Sequence, residues 1–289
     1  MVRSSFEIEN MESRLHLDAS AVLNSRGVFV VTGTDSGDTI EITYNADASK
    51  VQANLNGTLL GEAAVADVKA IRVSALAGDD TVSVTDLVKK RTDVRGGAGN
   101  DTLSDASARA ALSGQAGDDI LNLTGTRGSA SGGDGADQIT GADGNYSVSG
   151  GAGADTITLG GGNNRASGGG DDDAITAGDG RNNLDGGDGD DTIKAGASAT
   201  GRARINGGDG NDTITVDTET SFIFGGDGDD TVTGSAGDDT IVGGDGTDSL
   251  NGGSGGDDEV VDDFPEDGGF GFGGGHGGHG GHGGFGGHF

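Results

Sequence analysis

Residues 150–158 read GGAGADTIT, and the phrase returns as GGDGDDTIK at 186–194, GGDGNDTIT at 207–215 and GGDGDDTVT at 225–233. With Asp placed sixth and an aliphatic residue eighth, further blocks begin at 75, 96, 114, 132, 168 and 243. Successive starts lie 18 residues apart, except for two intervals of 21. Between these A half-turns lie looser nonapeptides, the B half-turns, such as GADGNYSVS (141–149), LGGGNNRAS (159–167) and AGDGRNNLD (177–185). The two long intervals hold twelve-residue B half-turns at 84–95 and 195–206, and GSAGDDTIV (234–242) is a B half-turn with the full pattern.

Each nonapeptide reads as a tight glycine turn followed by a very short strand, because glycine permits positive φ and close backbone approach. The eighth position points inward. Its A file runs Val82, Leu103, Leu121, Ile139, Ile157, Ile175, Ile193, Ile214, Val232, Leu250, and its B file Val94, Leu112, Ala130, Val148, Ala166, Leu184, Ile205, Ile223, Ile241. Two facing aliphatic files at one revolution per 18 residues predict an all-β fold: a right-handed parallel β-roll with a thin core. Neighbouring coils should stand about 4.8 Å apart. The aliphatic file is expected to end at 252–260, where Glu259 takes the inward place.

Composition sets the terms on which such a roll can fold. Only 31% of the 289 residues are apolar, 63 are Gly, none is Cys, and the formal net charge is −31. That balance normally predicts disorder, so a repeat and a counterion must rescue it. The charge argues against nucleic acid and anionic membrane surfaces and favours cations. No apolar run approaches the roughly 18 residues of a membrane span.

The run GGxGxDxUx resembles the RTX, or haemolysin-type, calcium-binding repeat family, over residues 75 to about 260. In that family each ion sits between turns of successive coils on one edge. The resemblance therefore implies calcium ions at Asp80, Asp101, Asp119, Asp137, Asp155, Asp173, Asp191, Asp212, Asp230 and Asp248 on the A edge, with Asp239 as their B-edge counterpart. Calcium is a hard cation that takes six to eight oxygen ligands, which carboxylates and turn carbonyls can supply. In the block at 168–176 the position-four Gly is replaced by Asp171, which puts that turn's geometry in question.

The B edge carries Ala110, Gly128, Tyr146, Asn164 and Asn182 at position six, together with most of the basic residues, among them Arg109, Arg127 and Arg181 at position five. Fixed positive charge there would partly offset the acidic turns. Residues 28–74 read as a β cap over the open end of the roll, with GTDSGDTIE (33–41) a first, imperfect nonapeptide. Residues 1–27 read as a leader; FEIENMESRLHLDA (6–19) resembles the LEPR-XLL sorting motif of bacterial surface proteins. The tail 261–289 should be disordered, and its His276, His279 and His282 could chelate zinc, copper or nickel.

No HExxH is present, GGSGG at 252–256 lacks the strand–elbow–helix context of a nucleophile, and the 47 residues at 28–74 are too few to hold a catalytic domain. The chain therefore reads as a non-enzymatic, secreted or cell-surface calcium-binding structural protein that folds in extracellular calcium. The alternative is an adhesin using the Thr-rich outer face of the A strands, Thr156 and Thr158 among them, on ice or polysaccharide. A secreted hydrolase is the third reading. Acid should act as a chelator does, since protonated carboxylates are poor ligands.

Overall fold

In the computed structural model, which describes residues 19–85, 90–196, 202–217, 220–254 and 257–262, the chain winds into a parallel β-solenoid of two facing 13-stranded sheets. Among the described residues there is no helix, and so none long and apolar enough to cross a membrane. The N-terminal sorting stretch, up to Asp18, and the histidine tail lie outside the described residues.

The period of 18 appears directly as strand register. Ile139 pairs with Ile157 and Ile157 with Ile175 in one sheet, while Val148 pairs with Ala166 and Ala166 with Leu184 in the other. The intervals of 21 keep register too: Ile193 pairs with Ile214 and Val82 with Leu103. The other sheet stays in step, with Leu184 beside Ile205 and Val73 beside Val94, so each inward file continues unbroken. Both expected files are buried, Leu250 at the exposed end only partly.

A third inward file was not foreseen. It occupies the first position of the B half-turns: Val84, Leu123, Leu159, Ala177, Ala195 and Val216 are all buried. The cause is the alternation of a strand, since two residues beyond an inward position eight lies another inward position. Asp105 occupies the same file and is fully buried, held by the Thr92 hydroxyl and the Ser107 N–H.

The cap is partly the first coil of the roll. Strand β1 (Ser20–Leu23) pairs antiparallel with β2 (Val28–Thr32). Strands β3 (Thr39–Asn45), β4 (Lys50–Leu55) and β5 (Thr58–Ala64) form an antiparallel meander. Yet β2 pairs parallel with β6 (Ala70–Ala77), and β3 pairs parallel with β7 (Thr81–Val84). The ordered cap takes in Ser20–Leu23, assigned above to the leader, because Asn24 Oδ1 accepts the Arg26 and Val28 N–H groups and Gly27 turns the chain at φ 80°. Parallel pairing reaches back to Val28, with β4 and β5 inserted into that coil.

The other end is also corrected. Val260, not Glu259, stands beside Ile241, and Glu259 pairs with Thr240. One extra residue lies in the turn that follows Asn251, which shifts the period there to 19.

Where position two is glycine, contact with the preceding coil favours it. Gly151 has φ 136°, and a Cβ on it would lie 2.0 Å from the Gly133 carbonyl oxygen of the preceding coil. Asp171 adopts φ 74° in place of the position-four glycine, a conformation that Asp tolerates better than most residues.

With a core one side chain thick, each inward residue matters. Ile157 is fully buried between Ile139 and Ile175. Ile157→Ala is expected to cost about 2–5 kcal/mol in denaturant unfolding of the calcium-loaded protein, against about 0.5 kcal/mol or less for Thr158→Ala on the outer face. Equal effects would show that the file is not the core.

Candidate metal centre along one edge of the roll

Position six stands just ahead of each A strand, so the turn delivers one Asp per coil to the same edge. Asp80, Asp101, Asp119, Asp137, Asp155, Asp173, Asp191, Asp212, Asp230 and Asp248 form a single column. Each hands one carboxylate oxygen to the coil before it: Asp137 N–H donates to Asp155 Oδ1 at 2.7 Å, and Asp155 N–H to Asp173 Oδ1 at 2.7 Å. The column starts one coil earlier than the full repeats, because Asp38 N–H donates to Asp80 Oδ1.

The second oxygen is the decisive one. Oδ2 of all ten column residues is buried and has no hydrogen-bond partner. Asp101, Asp119, Asp191, Asp212 and Asp230 are only 1% exposed. A buried carboxylate oxygen without a donor is costly, so ten in a row suit a positively charged partner. The acid constants carry the same strain. Burial, added to by neighbouring carboxylates, pushes Asp119, Asp173 and Asp212 up to about 7 and Asp80, Asp155, Asp191 and Asp230 to about 6, against the lowering effect of the backbone N–H each accepts. Burial likewise raises Asp101 and Asp137.

A second ladder runs the opposite way on the exposed side of the same turns. At position five, Asp118 N–H donates to Asn100 Oδ1, Ala136 N–H to Asp118 Oδ1, and Asn211 N–H to Asp190 Oδ1. These side chains tie coil to coil and add oxygen atoms to the edge.

The donor set fits calcium. Between coils lie two column carboxylates and the carbonyls of glycine turns, all oxygen and no nitrogen or sulfur. No three His, Cys, Asp or Glu side chains converge among the described residues, so turn carbonyls and water would complete the coordination. Calcium bound there would supply the positive charge the orphaned oxygens lack.

The opposite edge closes differently. Asp239 lies there, and its Oδ2 accepts the Ser235 N–H at 2.7 Å and the Ser235 hydroxyl at 2.9 Å. Asn164 and Asn182, buried at position six, donate Nδ2 to the Gly160 and Gly178 carbonyls. Tyr146 fills the core there and donates its hydroxyl to the Gly125 carbonyl. Arg91, Arg109, Arg127, Arg165, Arg181 and Arg202 stand exposed on this sheet's outer face. Asp258, hidden from the sequence pattern by the one-residue shift, continues this edge by accepting the Asp239 N–H at Oδ1.

Neither a curated protein nor a solved structure matches the chain. The family model described as RTX calcium-binding nonapeptide repeat (4 copies) matches residues 93–106, 131–166, 167–199, 200–218 and 224–258. These segments contain the column from Asp101 onward, apart from Asp119. Over residues 93–258 the chain therefore belongs to the RTX calcium-binding repeat family.

Proposed function

We propose that this is a secreted or surface-displayed structural protein whose roll folds on meeting extracellular calcium, held by the column from Asp80 to Asp248. The single observation that carries this reading is the run of ten buried Oδ2 atoms without a donor. The weak affinities of extracellular calcium modules, roughly 0.1–1 mM, suit a chain that stays open until it leaves the cell. Equilibrium dialysis of the full chain at neutral pH tests it. Several calcium ions per chain are expected, with magnesium a poor substitute because it demands a tight octahedron and dehydrates reluctantly. A chain that takes up no calcium at millimolar concentration would end the reading.

A second reading rests on the outer face of the A strands. Thr140, Thr158 and Thr176 stand in register on successive coils, as do Thr192, Thr213 and Thr231, all exposed. Such a flat hydroxyl array suits adhesion to ice or polysaccharide, and retention of the calcium-loaded chain on either would bring this reading forward.

A further inference from the structure

The position-six side chains fall into two groups that their identity alone does not separate. Ten aspartates have an orphaned Oδ2, and in every one of their turns the residue at position two has positive φ. Glycine is not essential to this, since Leu76 at 92° and Gln115 at 90° adopt it as well. Asp38 and Asp239 differ. Their position-two residues, Thr34 and Ser235, are not among the positive-φ residues, and each turns its own N–H onto Oδ2 at 2.7 Å. The hydroxyls of Thr34 and Ser235 add second bonds at 2.9 Å each. The carboxylate moves accordingly. A Cβ on the first glycine would lie 2.0 Å from Oδ2 of Asp155 but 2.9 Å from that of Asp38 and 2.8 Å from that of Asp239. Asn164 and Asn182 reach the same end another way, with an amide N–H on the position-two carbonyl.

We propose that the backbone at position two decides which turns take a cation. Where φ is positive, the turn leaves Oδ2 open and the Asp is a calcium ligand. Where it is not, the turn's own N–H and hydroxyl occupy the place of the ion. The open column from Asp80 to Asp248 has nine intervals between successive carboxylates, and these are the calcium positions. Asp38 is a protein-bonded stop at the head of the column, further held by Asn56 Nδ2. Asp239, despite its complete sequence pattern, is a metal-free cap, whereas Asp258 beyond it, with Gly253 at φ 112°, falls on the open side of the rule. This rests on the calcium reading above.

The test counts ions bound per folded chain by equilibrium dialysis, with the fold followed by circular dichroism, for the full-length wild type, Asp155→Asn, Asp239→Asn and Asp38→Asn. Asp155 borders two intervals, so Asp155→Asn is expected to lose one or two ions. Asp239→Asn and Asp38→Asn are expected to bind as many as the wild type. Asn is already accommodated at position six on the Asp239 edge, at 164 and 182, and Asp38→Asn probes a second, separate turn should Asp239→Asn not fold. Loss of an ion in either cap variant, or none in Asp155→Asn, overturns the sorting while leaving the calcium reading intact. A wild type that binds no calcium overturns both.

Discussion

In excess chelator at neutral pH, the β-sheet signal of this chain is expected to collapse and to return when calcium is restored. The reason is local to the Asp column. Neighbouring coils are one strand spacing apart, so adjacent charged carboxylates repel by about 3 kcal/mol at an effective dielectric of about 20. The ten Oδ2 atoms have no protein donor to offset this. Ordering the backbone costs about 1–2 kcal/mol per residue, and each coil sets against that only a few small aliphatic side chains. A bound ion turns each repulsive interval into a bridge and stabilises by mass action. The change should be cooperative, because each coil is templated by its neighbour. A full sheet signal in chelator would mean that the roll stands on packing alone.

The second large effect is a reversal of the pH response by calcium. The folded acid constants of Asp119, Asp173 and Asp212 are raised to about 7, above the unfolded value of about 3.9. Between those limits the folded chain binds more protons than the unfolded chain, so cation-free stability falls as pH rises. It is fully present below about pH 4 and lost as pH rises through about 6 to 7. Chelated protein at pH 5 is therefore expected to show more sheet than at pH 8. With calcium present, acidification over the same range should release ions, since proton and cation compete for the same oxygens. Acid thus removes the ion but also the charge that made the ion necessary, which modifies the simple equivalence with a chelator expected from sequence. Circular dichroism and dialysis across pH 4–8 decide it. A chelated chain that loses sheet on acidification from pH 8 to 5 would show that the column's charge is not what opens the roll.

The roll was legible because its period is also its register. A residue 18 positions on stands beside its predecessor, so the position-eight files and the Asp column could be placed without any contact information. What escaped were features that break or hide the period. The insertion of β4 and β5 concealed that Val28–Thr32 and Thr39–Asn45 already form a coil, and one added residue before Asp258 moved Glu259 out of the core. Val84, Leu123 and Leu159 escaped because they begin variable half-turns, where no consensus drew attention to them. The closure of Asp239 by Ser235 depends on a peptide orientation that the pattern GSAGDDTIV does not display.

The two ends of the solenoid are unlike. At the start, β1 and the β4–β5 meander lie at the sheet edges, whereas among the described residues Ser249–Asn251 and Glu259–Val261 are the outermost strands at the other end, with Val260 44% exposed. Mechanically this makes the molecule a zipper with a stop at one end. Tension applied from the C-terminal side meets the least-supported coil first and peels the roll one revolution at a time, each releasing about 60 Å of chain at roughly 3.4 Å per residue. Tension applied from the N-terminal side must first shear the meander away from the first coil.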